Sequence, residues 1–175
     1  MATNLQFIED FEITSSVSTF NCDNVFTDKY DVYQIVGYGF ETGGSTAYGN
    51  LRLIDSSGNV ESGTTPGYNF AYLSLKPEAD FGEAKGQSGS FIQEFFGNPD
   101  AAPQGSGTVG YIYNPFDSNS YTFFSWQSVH SQGTPERMYK GVGVHKSAES
   151  MRGFQLMDNL GNNVTAGHIS VYGVK

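Results

Sequence analysis

The amino-acid sequence predicts an all-β fold: a two-sheet antiparallel β-sandwich of the jelly-roll type, with about eight to ten strands. Short segments alternate between apolar and polar residues, which is the period of a strand with one buried face. Gly, Asn, Asp and Ser separate these segments at the spacing typical of a sandwich. The 175 residues, of which 15% are aromatic, are enough for one domain with a sizeable core. A jelly roll is expected because the two ends of the chain are predicted to pair.

The chain is predicted to begin with an N-terminal arm and first edge strand at residues 1–29, followed by the sandwich domain at residues 30–175. Phe7, Phe11 and Ile13 recur at nearly even spacing between acidic residues, which fits a half-buried strand. A short amphipathic helix is the alternative, because Phe7 and Phe11 also lie four residues apart.

The strand at residues 30–43 is predicted to be central, because bulky residues occupy both of its alternate sets. Tyr33 and Ile35 are expected to face the core. Tyr38 and Phe40 are expected to lie together near the edge of the sandwich, under a loop or a partner subunit. Upstream of this strand, a Ser/Thr-rich stretch indicates a loop.

The remaining strands are predicted from the same alternation, and the last of them is expected to pair with the central strand. On the predicted strand at residues 121–130, aromatic residues occupy both faces. A hairpin turn at 56–59 leads into a short return strand at Val60, and the further strands cover residues 50–55, 68–75, 90–96, 108–113, 121–130, 138–144, 152–157 and 168–174.

Residues 76–89 break the strand pattern. Pro77 followed by Glu78 and Asp80 resembles a helix N-terminus, and glycines limit the predicted helix to a turn or two. Residues 97–107 contain two prolines and three glycines, which indicates an exposed loop.

Composition argues against several classes of function. The net charge of −9 disfavours binding to a phosphate backbone, so no nucleic-acid partner is expected. No apolar run approaches the roughly 20 residues of a spanning helix, so no membrane partner is expected. The N-terminus has no basic region followed by an apolar core, so a secretory signal is not predicted. Cys22 is the only cysteine, which rules out an internal disulfide.

The sequence marks no catalytic, cofactor or metal site. Residues 86–90 approach a nucleophile elbow but lack its final glycine and its following helix, so a flexible turn is the better interpretation. A metal site formed by His145 and His168 would require these distant residues to meet in space. Asp55 and Asp158, each followed by Gly and Asn, are predicted to cap turns and not to bind calcium.

Exposed aromatic residues leave a sugar-binding role open. Trp126, with Tyr121 and Tyr113, could form a platform on which sugar rings stack. A single tryptophan among many aromatics is more often part of the core, and that interpretation is favoured here.

Three segments resemble virion proteins of tailed bacteriophages. The closing segment 167–174 has the form G-x-I-x-V-Y-G-V, and the central strand begins with Y-D-V-Y-Q-I-V. Two similar hairpins, at Asp55 and Asp158, each reach a Gly and an Asn. These segments resemble the jelly-roll or sandwich domains of capsid decoration proteins, head fibres and tail fibres. The resemblance covers both ends of the domain and leaves its middle unassigned.

The resemblance implies a structural or attachment role in a virion assembled in the host cytoplasm. Only about 25 residues, without heptads, precede the first strong strand, which favours a decoration or cement protein over a tail fibre. The expected partner is the major capsid protein or another virion protein, and the expected assembly is a trimer. Phe7, Phe11 and Ile13 are the expected interface. The alternative is a receptor- or carbohydrate-binding head that uses Trp126, Tyr121 and Tyr113. An enzyme is the third class, and nothing in the sequence points to its active site.

Overall fold

The predicted all-β fold is confirmed in a computed structural model, which describes residues 4–43, 49–76, 81–97, 105–131, 136–158 and 160–175. Among these residues there is no helix, and hence none long and apolar enough to cross a membrane. The strands are β1 Leu5–Ile13, β2 Thr19–Cys22, β3 Val32–Thr42, β4 Gly49–Asp55, β5 Tyr68–Leu75, β6 Gly82–Gly89, β7 Ile92–Phe96, β8 Ser106–Tyr113, β9 Thr122–Ser131, β10 Glu136–His145, β11 Met151–Asp158 and β12 Val164–Val174.

The twelve strands form two antiparallel sheets. The larger sheet has eight strands in the order β1-β12-β3-β8-β9-β10-β5-β6, and the smaller has four in the order β2-β11-β4-β7. The count exceeds the predicted eight to ten because β2 and β6 lie in segments whose polar and small residues indicated loops or turns. The expected pairing of the closing strand with the central one is confirmed: β12 lies between β1 and β3.

The core is aromatic and lies between the two sheets. Tyr33 and Ile35 of β3 are fully buried, as predicted, and Val25 and Phe26 pack against the same core. The buried Tyr33 hydroxyl has a hydrogen-bond partner, because it donates to the carbonyl of Thr27 at 2.9 Å. Rings from both sheets interlock, with Phe26 against Phe154, Phe40 against Phe96, and Phe95 against Phe124 and Trp126.

The prediction that Tyr38 and Phe40 lie together was wrong. Gly39 has φ +65°, and the register of β3 against β12 shifts beside it, so a β-bulge interrupts the alternation. Tyr38 therefore faces solvent and stacks on His168 at 4.8 Å, whereas Phe40 is buried in the core.

The predicted helical turn was wrong for residues 82–89, which form β6. These residues pair with β5 in an antiparallel hairpin, and backbone pairing outweighs the low strand propensity of their glycines. Residues 77–80, which carry the predicted helix N-terminus, lie outside the described residues, as does most of the predicted loop 97–107.

Both aspartates cap turns as predicted, but only the turn at Asp55 closes a short hairpin, through the bridge between Ile54 and Val60. The segment after Asp158 joins β11 to β12, which belong to different sheets, so the second predicted hairpin does not form. Asp55 accepts backbone hydrogen bonds from Ser57 at 2.8 Å and Asn59 at 2.7 Å. Asp158 accepts one from Leu160 at 2.6 Å. Both carboxylates therefore cap turns, and this is the role that the sequence indicated.

Candidate binding surface

The outer face of the eight-stranded sheet, turned away from the smaller sheet, is rich in exposed apolar side chains. Because side chains alternate along a strand, the register of the sheet places every second residue of each strand on this face. Apart from Phe81, Tyr121 and Leu160, every exposed large apolar side chain that is described lies on it: Leu5, Phe7, Tyr38, Leu73, Leu75, Val109, Phe123, Val129, Met138 and Val142.

Two adjacent strands at the centre of this outer face carry no charge, and Lys140 on the next strand, β10, borders them. The central strands β8 and β9 contain no Asp, Glu, Lys or Arg. Acidic residues lie on β1 at one edge, and Lys140, Glu83 and Lys85 lie towards the other edge. An uncharged apolar centre with a charged rim is the usual anatomy of a protein–protein interface.

A groove of about 1160 Å³ crosses the outer face from β8 to β6. Its middle is lined by short side chains such as Ser125 and Ala71, and its sides by longer ones such as Tyr111 and Lys85. The outward residues that line it are Ala71, Leu73, Glu83, Lys85, Val109, Tyr111, Ser125, Gln127, Lys140 and Val142.

The chemistry of the groove is more aliphatic than aromatic. Val109, Val142 and Leu73 supply exposed apolar surface, and Tyr111 supplies the only outward-facing ring among the described lining residues. The Tyr111 hydroxyl accepts a hydrogen bond from the Gln34 amide at 2.8 Å, which fixes the ring. Such a surface fits the apolar side chains of a polypeptide better than the hydroxyl-rich edges of a sugar.

The three residues of the predicted interface separate in the structure. Ile13 is buried in the core, and Phe11 is half-buried with its ring 6.2 Å from that of Phe20. Phe7 alone is open to solvent, with 57% of its surface exposed, and it contacts Tyr172 on the outer face. A register shift between Phe7 and Glu9 puts Phe7 out of phase with the other two, which the even spacing could not show.

The predicted stacking residues also separate. Trp126 is 2% exposed and packs against Phe95 beneath the groove, so its ring belongs to the core, as the favoured interpretation had it. Tyr113 lies on the outer face at the end of β8, whereas Tyr121 is exposed just before β9 begins. Tyr113 stacks on Tyr111 with ring centres 6.3 Å apart.

The histidines do not converge. His145 is buried beside Tyr68 on the inner face, and burial lowers its pKa despite the nearby Glu149 carboxylate. His168 lies on the outer face, four strands away in the sheet order. Among the described residues no group of His, Cys, Asp or Glu could hold a metal ion.

A buried polar cluster around Glu94 was not predicted. Burial raises the pKa of Glu94 to about 8, although a hydrogen bond with Tyr139 and the charge of Arg137 act in the opposite direction. Burial, with the Arg137 charge, lowers the pKa of His130 to about 4. Tyr139 packs on His130 with ring centres 5.6 Å apart. Glu94 and Tyr139 are buried between the sheets and do not line the groove.

The groove also escaped prediction, because its walls come from segments far apart in sequence. The one available signal was that residues 121–130 carry apolar side chains on both faces, whereas a half-exposed strand would carry polar side chains on one face.

Comparison of the chain with family models, with curated proteins and with solved structures finds no match.

Proposed function

We propose that this chain is a structural protein of a tailed-phage virion, a capsid decoration protein that docks on the major capsid protein. The observation that carries the proposal is the apolar, uncharged centre of the outer face, because exposed patches of this kind mark sites of protein association. The resemblance of the closing strand and of the central strand to phage virion proteins supports the identity of the partner.

The strand order supports a jelly-roll fold, which is part of the same proposal. If the hairpins β5–β6 and β9–β10 are set aside, one sheet reads β1-β12-β3-β8 and the other β2-β11-β4-β7. The first strand then lies beside the last, as in a jelly roll. Successive strands alternate between the two sheets except at β4 and β7, which lie in the same sheet. The two hairpins extend one sheet beyond the other, and they carry most of the groove.

The test is binding to capsids assembled from the major capsid protein of the same phage, measured by co-sedimentation. Val142 in the groove and Leu160 outside the outer face are both 60% exposed, so they form a matched pair. Val142→Asp should weaken binding at least tenfold, because it places a charge in the apolar centre. Leu160→Asp should bind like the original protein.

Both variants should retain the melting temperature, since both positions are exposed. Absence of wild-type binding, or equal binding by the two variants, would contradict the docking proposal.

A glycan-binding head is the second candidate, and the stacked pair of Tyr111 and Tyr113 is the observation that favours it. Trp126→Ala would not test this candidate, because Trp126 is part of the core. Tyr121→Ala is the better variant, since Tyr121 is exposed. Saturable binding on a glycan array that is lost in Tyr121→Ala, together with no binding to capsids, would replace the first proposal with this one.

A further inference from the structure

The edge strand β6 offers a site for strand pairing. It ends the eight-stranded sheet and pairs with β5 on one side only among the described residues. Along its first five residues, 82–86, the inner side carries only Gly, Ala and Gly, whereas Glu83 and Lys85 stand on the outer side. An edge of this kind presents unpaired backbone N–H and C=O groups to another strand.

The charges of β6 are self-complementary. If a second copy of β6 lies antiparallel to the first and is centred on Ala84, Glu83 of each copy faces Lys85 of the other. Opposite charges directly across a strand pair stabilise the pair, whereas like charges destabilise it. The ion pairs found in the described part of the chain involve other residues, so neither charge has an ion-pair partner among the described residues.

Phe81 adds apolar surface to the same edge. It is 80% exposed, the highest value among the exposed large apolar side chains described, and it immediately precedes β6. In the register centred on Ala84, Phe81 lies opposite Gln87 of the other copy and diagonal to the stem of Lys85. Pairing would therefore cover an aromatic ring that the single chain leaves in water.

The other edges are less suited to self-pairing. β1 carries Glu9, Asp10 and Glu12, so two antiparallel copies of it would bring acidic side chains together. β2 and β7 have only four and five residues. On β6 the register shift and the positive φ of Ser88 end the regular segment, which confines pairing to the part around Ala84.

We propose that two copies of this chain associate through antiparallel pairing of β6, centred on Ala84. The two eight-stranded sheets then continue into one another, and the two grooves, each bounded by β6, lie side by side. This dimer is independent of the docking proposal, and it differs in stoichiometry from the trimer that the resemblance implies.

Charge reversal tests the register by sedimentation equilibrium. The original protein should be a dimer. Lys85→Glu places acidic residues opposite Glu83 and should weaken dimerisation at least tenfold, and Glu83→Lys should do the same with lysines. The double variant Glu83→Lys with Lys85→Glu restores reciprocal opposite pairs and should dimerise like the original. Circular dichroism should show the same fold in all of these variants, because both positions are exposed.

A cysteine at the dyad supplies a second test. Ala84→Cys should form an inter-chain disulfide on mild oxidation, whereas Leu160→Cys should not. The native Cys22 is buried, and burial, with the nearby Glu9 charge, raises the pKa of its thiol, so it should stay unreactive. A monomeric or trimeric original protein, or a double variant that remains dissociated, would overturn the proposal.

Discussion

Individual aromatic rings in this core lie directly on glycines of a neighbouring strand or of the facing sheet. The Trp126 ring occupies the place where Gly141 would carry a side chain, and a Cβ atom there would lie 2.2 Å from Cζ2 of the ring. The same arrangement places Phe95 on Gly110. The chain has 22 glycines and 25 Phe and Tyr residues. These two high counts are partly linked, because a flat ring packs closely against a strand only where the backbone carries no side chain.

The substitution Gly141→Ala should therefore destabilise the protein. The methyl group would force Trp126 from its place against Phe95, and overpacking of this kind costs about 1–3 kcal/mol. Urea unfolding followed by Trp fluorescence measures the loss. Gly107→Ala is the matched control, because its methyl group would meet only Val129 Cγ2 at an ordinary 3.5 Å. Equal midpoints for the two variants would contradict this account of the packing.

The buried carboxyl of Glu94 makes stability depend on pH. Its folded pKa of about 8 lies above the ordinary value of 4.5, so the folded state holds a proton that the unfolded state releases. The stabilisation that Glu94 contributes is fully present below pH 4.5 and is lost as the pH rises through about 8. The loss of unfolding free energy is at most roughly 5 kcal/mol. His130 has the opposite effect, because its pKa is lowered to about 4 in the folded state. The stabilisation that its neutral form contributes is lost as the pH falls from 6.5 through about 4.

Glu94→Gln should remove the alkaline loss, because the amide has no proton to release. The variant should be more stable than the original protein at pH 8.5, and the difference should shrink towards pH 5. Urea midpoints at the two pH values measure it. A pH-independent difference would show that ionisation of Glu94 is not the cause.

At the scale of single strands, sequence reasoning succeeded where the alternation is unbroken. On β9 it placed Phe124 and Trp126 on the face opposite Phe123 and Val129, and the structure confirms this division, because the first two are buried and the last two are exposed. It failed where a bulge adds one residue, as at Gly39, because a shift of one residue sends every following side chain to the opposite face. Bulge positions depend on the neighbouring strand, which local sequence does not reveal.

The bulge in β1 leads to a contrast between two of its apolar residues. Ile13→Ala should destabilise the protein by about 2–5 kcal/mol, because the side chain is buried in the core. Phe7→Ala should cost less than about 1 kcal/mol, since it removes only a surface contact with Tyr172. Thermal unfolding of both variants measures the difference. Similar losses would mean that Phe7 is buried in solution, for instance by another copy of the chain.

The whole molecule joins segments that are distant in sequence, which explains why the groove could not be foreseen. The groove runs across β8, β9, β10, β5 and β6, so its two sides follow from the sheet order and not from chain order. The alternation correctly gave most of the strands and the contact between β3 and the closing strand. Each hairpin could extend either sheet, and packing across the core decides between them. No local sequence pattern reveals that choice.

The first strand is the place where the organisation of the whole molecule can be tested. Residues 1–29 were predicted as an arm and first edge strand, and β1 is an edge strand that pairs with β12 along its length, while the buried Ile13 contributes to the core. Deletion of residues 1–15 would remove that buried side chain and would turn β12 into an edge with unpaired backbone groups. We expect a loss of at least about 4 kcal/mol and a melting temperature lower by about 10 °C or more, with aggregation visible in sedimentation velocity. Full-length Phe7→Ala serves as the control, because it alters the exposed surface of β1 and leaves its pairing intact. A truncated protein that melts like the full chain and loses only binding to capsids would establish the segment as an independent docking arm.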